Sequence, residues 1–368
     1  MSEVPRARAL PDFPWDTIAG AKARAAAHPD GIVDLSVGTP VDPTPAPVRE
    51  ALAAAADAPG YPATTGTPDL RAAQAGYLAR RFGVPIEADA TLPLIGTKEF
   101  VAWLPTLLGL GPGDRVVVPS VAYPTYAVGA ALCGATVVPT DDPGQAGDAR
   151  LAWVNSPGNP TGRIASEDEL RAWVEWSRAT GGVLAGDECY AEFGWEAEPA
   201  TVLGEPISGG DHQRLLALHS LSKRSNMAGY RAGFVAGDPA LIRRLLEMRK
   251  HAGMIPPGPI QAASVAAYGD DAHVAEQRAR YLGRRAVLAP ALAAAGFRIE
   301  HSEGSLYLWA TREENCRETV DFLAGHGILV APGDFYGDPT TGADRFVRVA
   351  LTATDERIAA AARRLSEN

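Results

Sequence analysis

Short apolar runs bounded by turn residues recur through the first two thirds of the chain, and helical patterns separate several of them. One such pattern, residues 166–180, starts with Ser166 and carries Glu169 three positions later, the spacing of a helix capping box. Strands that alternate with helices favour a mainly parallel sheet with helices on both faces. We therefore predict an α/β block over residues 36–250. The runs that would supply its strands are residues 91–95, 115–118, 136–139, 151–154, 182–185, 214–218 and 233–236.

The alternation of strands and helices ends after a second helical pattern at residues 239–251. A proline-rich segment, residues 256–259, interrupts it, and a long amphipathic stretch follows over residues 260–292. Apolar runs return at 297–300, 306–310, 327–330 and 346–350, which predicts a smaller α+β unit. We expect an N-terminal arm (residues 1–35) that joins the small domain, a large domain (36–255) and the small domain itself (256–368).

A net charge of −10 over 368 residues restricts the partners of this chain. Nucleic acids and anionic membranes attract basic surfaces, so neither is an expected partner. The sequence shows no signal peptide and no membrane-spanning run, which favours a cytoplasmic protein that acts on small molecules. Three cysteines, Cys133, Cys189 and Cys316, fit no zinc-binding spacing and leave one unpaired in any disulfide scheme. We expect them to be reduced packing residues, and we predict no metal site.

One lysine is surrounded by residue types that bind phosphate. Lys223 has Ser220 and Ser222 just before it, and Arg231 follows eight positions later. An amine can hold an aldehyde cofactor covalently, while hydroxyls and an arginine bind a phosphate on the same molecule. A single lysine is otherwise most often a solvated surface residue. The combination indicates pyridoxal 5′-phosphate (PLP) at Lys223, with the amine also moving a proton during the reaction.

Two further motifs follow predicted strands, at the sheet edge where parallel α/β folds bind ligands. Asn159, in a loop rich in proline and glycine, can donate a hydrogen bond to the phenolate oxygen of the cofactor. A turn without any ligand is the alternative. Asp187 can pair with the protonated pyridine nitrogen, and Tyr190 can reach the phenolate oxygen. A helix-capping acid beside a packed aromatic residue is the alternative for that pair.

Backbone amides are a third source of phosphate contacts. Gly96, Thr97 and Lys98 stand between a predicted strand and a helix predicted over residues 100–108. Amides at a helix N-terminus bind anions, so this segment suits a phosphate. Taken alone, it also fits an ordinary strand-to-helix turn.

Together these motifs resemble the class I/II aminotransferases, which are fold-type I PLP enzymes, from residues 37–40 to residues 346–350. The resemblance implies an α/β fold with a mainly parallel central sheet, helices on both faces and a smaller α+β domain. It makes Lys223 the Schiff-base lysine and Asp187 the partner of the pyridine nitrogen. It assigns the phenolate contacts to Asn159 and Tyr190, and the phosphate contacts to Thr97, Lys98, Ser220, Ser222 and Arg231, with Lys98 supplying at least its amide.

The same resemblance implies four more site residues. Tyr123 matches the aromatic residue that stacks on the cofactor ring, and Arg348 matches the arginine that binds the substrate α-carboxylate. Gly38 lies where the N-terminal segment passes close to the substrate. Tyr61 resembles the tyrosine that reaches the phosphate of the neighbouring subunit. The resemblance therefore implies a homodimer with shared active sites that acts on amino acids and 2-oxo acids.

Three segments, residues 11–16, 221–231 and 249–254, are most similar to N-succinyldiaminopimelate aminotransferases of lysine biosynthesis. Such a substrate carries extra carboxylates, and the candidates to bind them are Lys98, Arg24 and Arg249, each of which is otherwise a surface charge. The alternatives are another class I/II aminotransferase of the aspartate or LL-diaminopimelate type, and a PLP-dependent C–S β-lyase on the same scaffold. A non-catalytic PLP-fold regulator is a further alternative, although no basic helical extension for DNA binding is evident.

Overall fold

The structure, a computed structural model, describes residues 14–367. Strands and helices alternate over most of residues 91–252. The strands are β1 (Val33–Asp34), β2 (Thr91–Leu94), β3 (Arg115–Val118), β4 (Thr136–Pro139), β5 (Leu151–Asn155), β6 (Val183–Asp187), β7 (Leu215–Ser220), β8 (Gly233–Gly237), β9 (Arg298–Glu300), β10 (Tyr307–Thr311), β11 (Ile328–Leu329), β12 (Ala331–Pro332) and β13 (Val347–Ala350). The helices are α1 (Ala19–Ala26), α2 (Ala46–Ala54), α3 (Pro68–Phe82), α4 (Thr97–Leu107), α5 (Thr125–Cys133), α6 (Glu167–Thr180), α7 (Glu205–Ser208), α8 (Leu221–Arg224), α9 (Pro239–Ala252), α10 (Gly258–Gly269), α11 (Ala272–Ala294), α12 (Cys316–Gly325) and α13 (Asp355–Ser366).

Seven strands form the central sheet in the order β2-β8-β7-β6-β5-β3-β4. Strand β8 runs antiparallel to both of its neighbours, and the other pairs are parallel. Successive side chains enter opposite faces, so Leu184 joins one apolar cluster and Ala185 the other. Helix α6 begins after Ser166 with the predicted capping box. The predicted fold class, a mainly parallel sheet covered by helices on both faces, is confirmed.

A second unit is built on four antiparallel strands in the order β12-β13-β10-β9. Helices α11, α12 and α13 cover it with apolar side chains such as Leu288, Leu323 and Ile358. A short parallel pair, β1 with β11, joins the N-terminal region to this unit. Ile18 and Ala25 pack in the same apolar cluster as Trp309. The N-terminal residues that the structure describes therefore contact the second unit.

Two predicted segments differ from the observed elements. Residues 260–292 form two helices rather than one stretch, because the chain breaks at Asp270 and Asp271 between α10 and α11. Helix α10 packs on α2 and α3, and its Tyr268 belongs to the apolar cluster beneath the large sheet. The domain boundaries stay a prediction.

The run predicted as one strand at residues 327–330 is also divided. Strand β11 pairs with β1, while β12 pairs with β13, and the chain changes partners at Val330 between them. No helix within residues 14–367 has the length and apolar character needed to cross a bilayer. The cytoplasmic location stays a prediction.

Candidate active site

A cavity of about 600 Å³ opens at the carboxyl ends of β5, β6 and β7, where the second unit faces the central sheet. This is the edge at which parallel α/β sheets bind ligands. Of the thirteen predicted site residues, twelve line the cavity, and the exception is Tyr61. The twelve are Gly38, Thr97, Lys98, Tyr123, Asn159, Asp187, Tyr190, Ser220, Ser222, Lys223, Arg231 and Arg348.

Lys223 lies in α8, the single helical turn that follows β7. Its Nζ donates a hydrogen bond to the carbonyl oxygen of Gly38, so the amine points across the cavity toward the N-terminal segment. Burial, followed by the nearby positive charge of Arg348, lowers the pKa of Lys223 to about 8. An amine with this pKa is unprotonated far more often near neutral pH than an exposed lysine, and it can therefore act as a nucleophile or a base.

Asp187 is the last residue of β6, and two donors hold its carboxylate. The hydroxyl of Tyr126 donates to Oδ2 at 2.7 Å, and the amide of Cys189 donates to Oδ1 at 3.2 Å. Hydrogen bonds to both oxygens fix the direction of the carboxylate. The contact also acts on its partner, because burial and the charge of Asp187 raise the pKa of Tyr126 well above its usual range. A carboxylate held in this direction can pair with a protonated ring nitrogen.

One end of the cavity gathers donors suited to a phosphate. Helix α4 begins at Thr97, directly after Gly96, whose φ is +77°. A Cβ on Gly96 would collide with the guanidinium of Arg231, so only glycine lets that cation approach the helix N-terminus. Ser220 and Ser222 line the same cavity, and the amide of Ser222 donates to Oγ of Ser220 at 3.1 Å. An arginine, hydroxyls and helix amides together fit the phosphate of PLP.

Arg348, in β13, is 2% exposed. Its Nη1 donates to Oδ1 of Asn159 at 2.8 Å, and its Nη2 donates to the carbonyl oxygen of Ser36 at 2.7 Å. Its Nε has no hydrogen-bond partner, and no carboxylate within residues 14–367 pairs with the guanidinium. A buried cation without a counter-charge is costly, and an anion that enters the cavity relieves that cost.

Three tyrosines complete the walls. Tyr123 lines the cavity, and Nζ of Lys98 lies 5.6 Å from the centre of its ring. The hydroxyl of Tyr190 lies 2.8 Å from that of Tyr307. Burial, and next the neighbouring Tyr307, raise the pKa of Tyr190 well above its ordinary value, so its hydroxyl keeps its proton and can donate.

Other predicted residues lie elsewhere. Tyr61 is fully exposed and lies outside the cavity of its own chain. Of the three candidate distal cations only Lys98 lines the cavity: Arg24 is exposed, and the buried Arg249 pairs with Glu99 at 3.1 Å. All three cysteines are free, and Cys189 packs against the apolar core of the second unit as expected, while it also lines the cavity and donates from its thiol to Oγ1 of Thr97 at 3.2 Å.

Sequence reasoning missed Tyr126, Tyr307, Trp15 and Cys189, which also line the cavity. Tyr126 had a usable signal, since it follows Tyr123 by three positions at the start of a helix and so lies near it on that surface. Tyr307 had none, because its neighbours in the cavity come from distant parts of the chain. Among the described residues, no group of three His, Cys, Asp or Glu is placed to hold a metal ion.

Comparison with known proteins gives consistent results. The family model for aminotransferase class I and II matches residues 30–365. The chain is 58% identical to the 4-dedimethylamino-4-oxo-anhydrotetracycline transaminase OxyQ of Streptomyces rimosus, over 98% of this chain and 100% of that protein. It is 59% identical to the probable aminotransferase Rv1178 of Mycobacterium tuberculosis, over 97% of this chain and 85% of that protein.

Solved structures agree with the family match. The N-succinyldiaminopimelate aminotransferase from Mycobacterium tuberculosis superposes with a TM-score of 0.86 at 27% sequence identity, over 95% of this chain and 96% of that chain. The family model covers most of the chain, and the cavity has donors for a phosphate, a carboxylate at the strand end and a lysine of lowered pKa. The chain thus belongs to the class I and II aminotransferases, the PLP-dependent enzymes that act on amino acids and oxo acids.

Proposed function

We propose that the chain transfers the amino group of glutamate to an oxo acid or ketone, with Arg348 binding the α-carboxylate of the amino acid. The observation that carries this proposal is the buried guanidinium of Arg348, which faces the cavity without a carboxylate partner among residues 14–367. A planar guanidinium can hold a carboxylate through two parallel hydrogen bonds. Such binding sets Cα of the substrate on the side of the cavity where Lys223 lies.

Lys223 acts as the base in this proposal. Its Nζ would take the proton from Cα of the amino donor and deliver it to the cofactor carbon that keeps the amino group; in the second half of the cycle it would carry a proton from that carbon to Cα of the acceptor. When bound, PLP supplies an electron sink for the negative charge that forms at Cα. The lowered pKa, about 8, keeps a useful fraction of the amine unprotonated at neutral pH.

The remaining residues hold the cofactor. Arg231, the two serines and the amides at the start of α4 bind its phosphate, and Asp187 holds the proton on its ring nitrogen. Asn159 and Tyr190 donate to its phenolate oxygen, and the ring of Tyr123 packs against its ring. These roles are supported by the convergence of all the named side chains on one cavity. We further propose a homodimer in which Tyr61 contacts the phosphate in the partner's cavity, which accounts for its full exposure in one chain.

For the acceptor we propose N-succinyl-2-amino-6-oxopimelate. The three segments similar to N-succinyldiaminopimelate aminotransferases support this choice, as does the fold shared with the solved Mycobacterium tuberculosis enzyme of that name. Lys98 is the side chain proposed to meet a distal carboxylate, because it lines the cavity beside Tyr123.

The second candidate is a ring ketone of a polycyclic compound of the tetracycline type. Sequence identity supports it, since the chain is 58% identical to OxyQ along all of that protein and only 27% identical to the solved N-succinyldiaminopimelate aminotransferase. The cavity walls also favour a flat, weakly charged acceptor, because Trp15, Tyr123 and Tyr307 line it and neither Arg24 nor Arg249 does.

The test begins with PLP-loaded protein and glutamate alone. One 2-oxoglutarate per active site, with a change in the visible absorbance of the protein, is the expected result, and no 2-oxoglutarate would refute amino transfer from glutamate. The aminated protein is then divided among N-succinyl-2-amino-6-oxopimelate, 4-dedimethylamino-4-oxo-anhydrotetracycline and oxaloacetate. The acceptor that restores the original spectrum with the highest rate constant decides between the candidates. Pyruvate and ammonia formed from cystathionine, without transfer from glutamate, would instead identify a β-lyase.

A further inference from the structure

Tyr307 touches three functional parts of the cavity at once. It begins β10 and is 2% exposed. Its hydroxyl lies 2.8 Å from the hydroxyl of Tyr190, and the guanidinium carbon of Arg348 lies 4.1 Å from the centre of its ring. At Gly38, any Cβ would collide with the hydroxyl of Tyr307, so the N-terminal segment presses directly on it.

Strand register explains the contact with Arg348. Strands β10 and β13 are antiparallel, with Tyr307 opposite Ala350 and Trp309 opposite Arg348. Residues two apart on a strand share one face, so Tyr307 is the diagonal neighbour of Arg348, within reach of an aromatic side chain. The sheet therefore holds the ring of Tyr307 rigidly beneath the guanidinium.

This contact limits where Arg348 can lie. The guanidinium carbon lies 4.1 Å from the ring centre of Tyr307 and 5.1 Å from that of Tyr336. A cation over an aromatic face is attracted to it, most strongly where water is excluded. Together with the hydrogen bonds to Asn159 and Ser36, the two rings set the direction of the fork before any carboxylate arrives.

The contact between the hydroxyls of Tyr307 and Tyr190 affects which way the hydroxyl proton of Tyr190 points. Two hydroxyls 2.8 Å apart share one hydrogen bond, and either can be the donor. If Tyr190 donates to the cofactor oxygen, its own oxygen is left to accept the proton of Tyr307. A donor behind it polarises the hydroxyl of Tyr190 and strengthens its outward hydrogen bond.

We propose that Tyr307 is a positioning residue that links the carboxylate site to the phenolate contact, an inference that rests on the proposed roles of Arg348 and Tyr190. Its ring sets the position of Arg348, and its hydroxyl directs the proton of Tyr190 toward the cofactor. One side chain thereby joins substrate binding to the hydrogen bonding of the cofactor.

The first measurement is a pH titration of the visible absorbance of PLP-loaded Tyr307→Phe. Donation from Tyr190 stabilises negative charge on the cofactor oxygen, which favours the deprotonated form of the chromophore. Weaker donation should raise the titration midpoint, by roughly half a unit to one unit. Tyr336→Phe is the matched control, because it keeps a second aromatic ring near Arg348 and removes a hydroxyl that has no hydrogen-bond partner within residues 14–367. Its midpoint should stay at the wild-type value.

The second measurement is the dissociation constant of glutarate, a dicarboxylate without an amino group, determined by calorimetry on the holoprotein. Tyr307→Leu removes the ring and should weaken glutarate binding about tenfold, as expected for a buried cation–π contact. Tyr307→Phe keeps the ring and should change it less than about twofold. Thermal unfolding of each holoprotein checks that the variants are folded, and if Tyr307→Leu does not fold, the midpoint of Tyr307→Phe decides.

Two reference variants separate this inference from the proposed function. If Arg348→Ala leaves glutarate binding unchanged, or Tyr190→Phe leaves the midpoint unchanged, the proposed role of that residue is wrong. If both references respond while Tyr307→Phe titrates like the wild type and Tyr307→Leu binds glutarate normally, the positioning role of Tyr307 is wrong. A lower melting temperature with neither change would identify a packing residue only, and it would also overturn the proposal.

Discussion

The guanidinium of Arg348 donates a 2.8 Å hydrogen bond to Oδ1 of Asn159 across 189 positions of sequence. Asn159 follows β5 of the central sheet, and Arg348 lies in β13 of the second unit. Because arginine only donates, this contact turns the amide oxygen toward Arg348 and leaves the amide nitrogen as a donor for the cavity. This hydrogen bond therefore fixes the position of Arg348, the proposed carboxylate contact, relative to Asn159, the proposed phenolate contact.

Replacing Arg348 by alanine should raise KM for every amino-acid substrate. The lost contact is a charge-assisted hydrogen bond, worth about 1.5–3 kcal/mol, which corresponds to a roughly 10- to 150-fold increase. Steady-state kinetics with several donors measures it. Arg345→Ala is the control, since this nearby arginine is exposed and pairs with Glu313. An unchanged KM in Arg348→Ala would remove Arg348 from the substrate site.

Lys223→Ala should abolish turnover while the protein still folds, because the proposed base and cofactor attachment are both lost. Turnover and the visible absorbance of the PLP-loaded protein measure the effect. Lys250→Ala, on the exposed face of α9 and paired with Glu247, should retain wild-type activity. Substantial activity in Lys223→Ala would contradict the proposed role.

The cofactor-free protein supplies a separate check on Lys223. Its pKa is about 8 in the folded state and about 10.4 in an unfolded chain. Between these values the unfolded state binds more protons, so this group makes the free energy of unfolding rise with pH. Urea titrations between about pH 8 and 10 should show a smaller rise in Lys223→Ala than in the wild type.

Asp187→Asn should lower kcat more than it lowers affinity for PLP. The substitution keeps the size of the side chain but removes the charge that would hold a proton on the ring nitrogen, and a loss on the order of 100-fold in kcat is expected. Tyr126→Phe removes one donor to this carboxylate and should act in the same direction by less than about tenfold. Single-turnover kinetics and PLP titration separate the two quantities. Weak cofactor retention with normal chemistry would indicate a structural role instead.

Mixed dimers test the proposed role of Tyr61. Lys223→Ala and Tyr61→Ala chains, each carrying a different affinity tag, are denatured together, refolded and purified for both tags. If Tyr61 completes the partner's site, each mixed dimer has one cavity with both residues intact, so it should recover up to about half of the wild-type activity per dimer. Mixed dimers no more active than Tyr61→Ala alone would place Tyr61 outside the shared site.

Glu188→Gln should stabilise the protein at pH 8.5 and change little at pH 5. Glu188 and His219 are buried with their side chains 3.3 Å apart. Burial raises the pKa of Glu188 to about 8 and lowers the pKa of His219 to about 3, so the pair is neutral between those values. Because the pKa of Glu188 is raised on folding, its contribution to stability is lost as pH rises from about 4.3 to 8. Glutamine stays neutral throughout, and a melting-temperature difference that does not grow with pH would contradict this account.

Much of this molecule could be predicted from local sequence. The runs at 115–118 and 136–139 coincide with β3 and β4, and the Ser166 capping box opens α6, because these signals depend only on neighbours in the chain. Local sequence signals did not show that residues 260–292 form two helices, α10 and α11. An amphipathic pattern continues across the break at Asp270 and Asp271, and only packing on two different cores separates α10 from α11.

Asn159, Asp187 and Lys223 each follow an apolar run, and parallel strands bring such positions to one edge, so their common location could be predicted from the sequence. Tertiary structure alone decided which distant side chains meet them. The register of β10 against β13 puts Tyr307 next to Arg348, and Arg249 is buried in an ion pair with Glu99 and does not line the cavity. Strand register and ion pairs between residues far apart in the sequence depend on how the core packs. A local sequence pattern therefore cannot predict them.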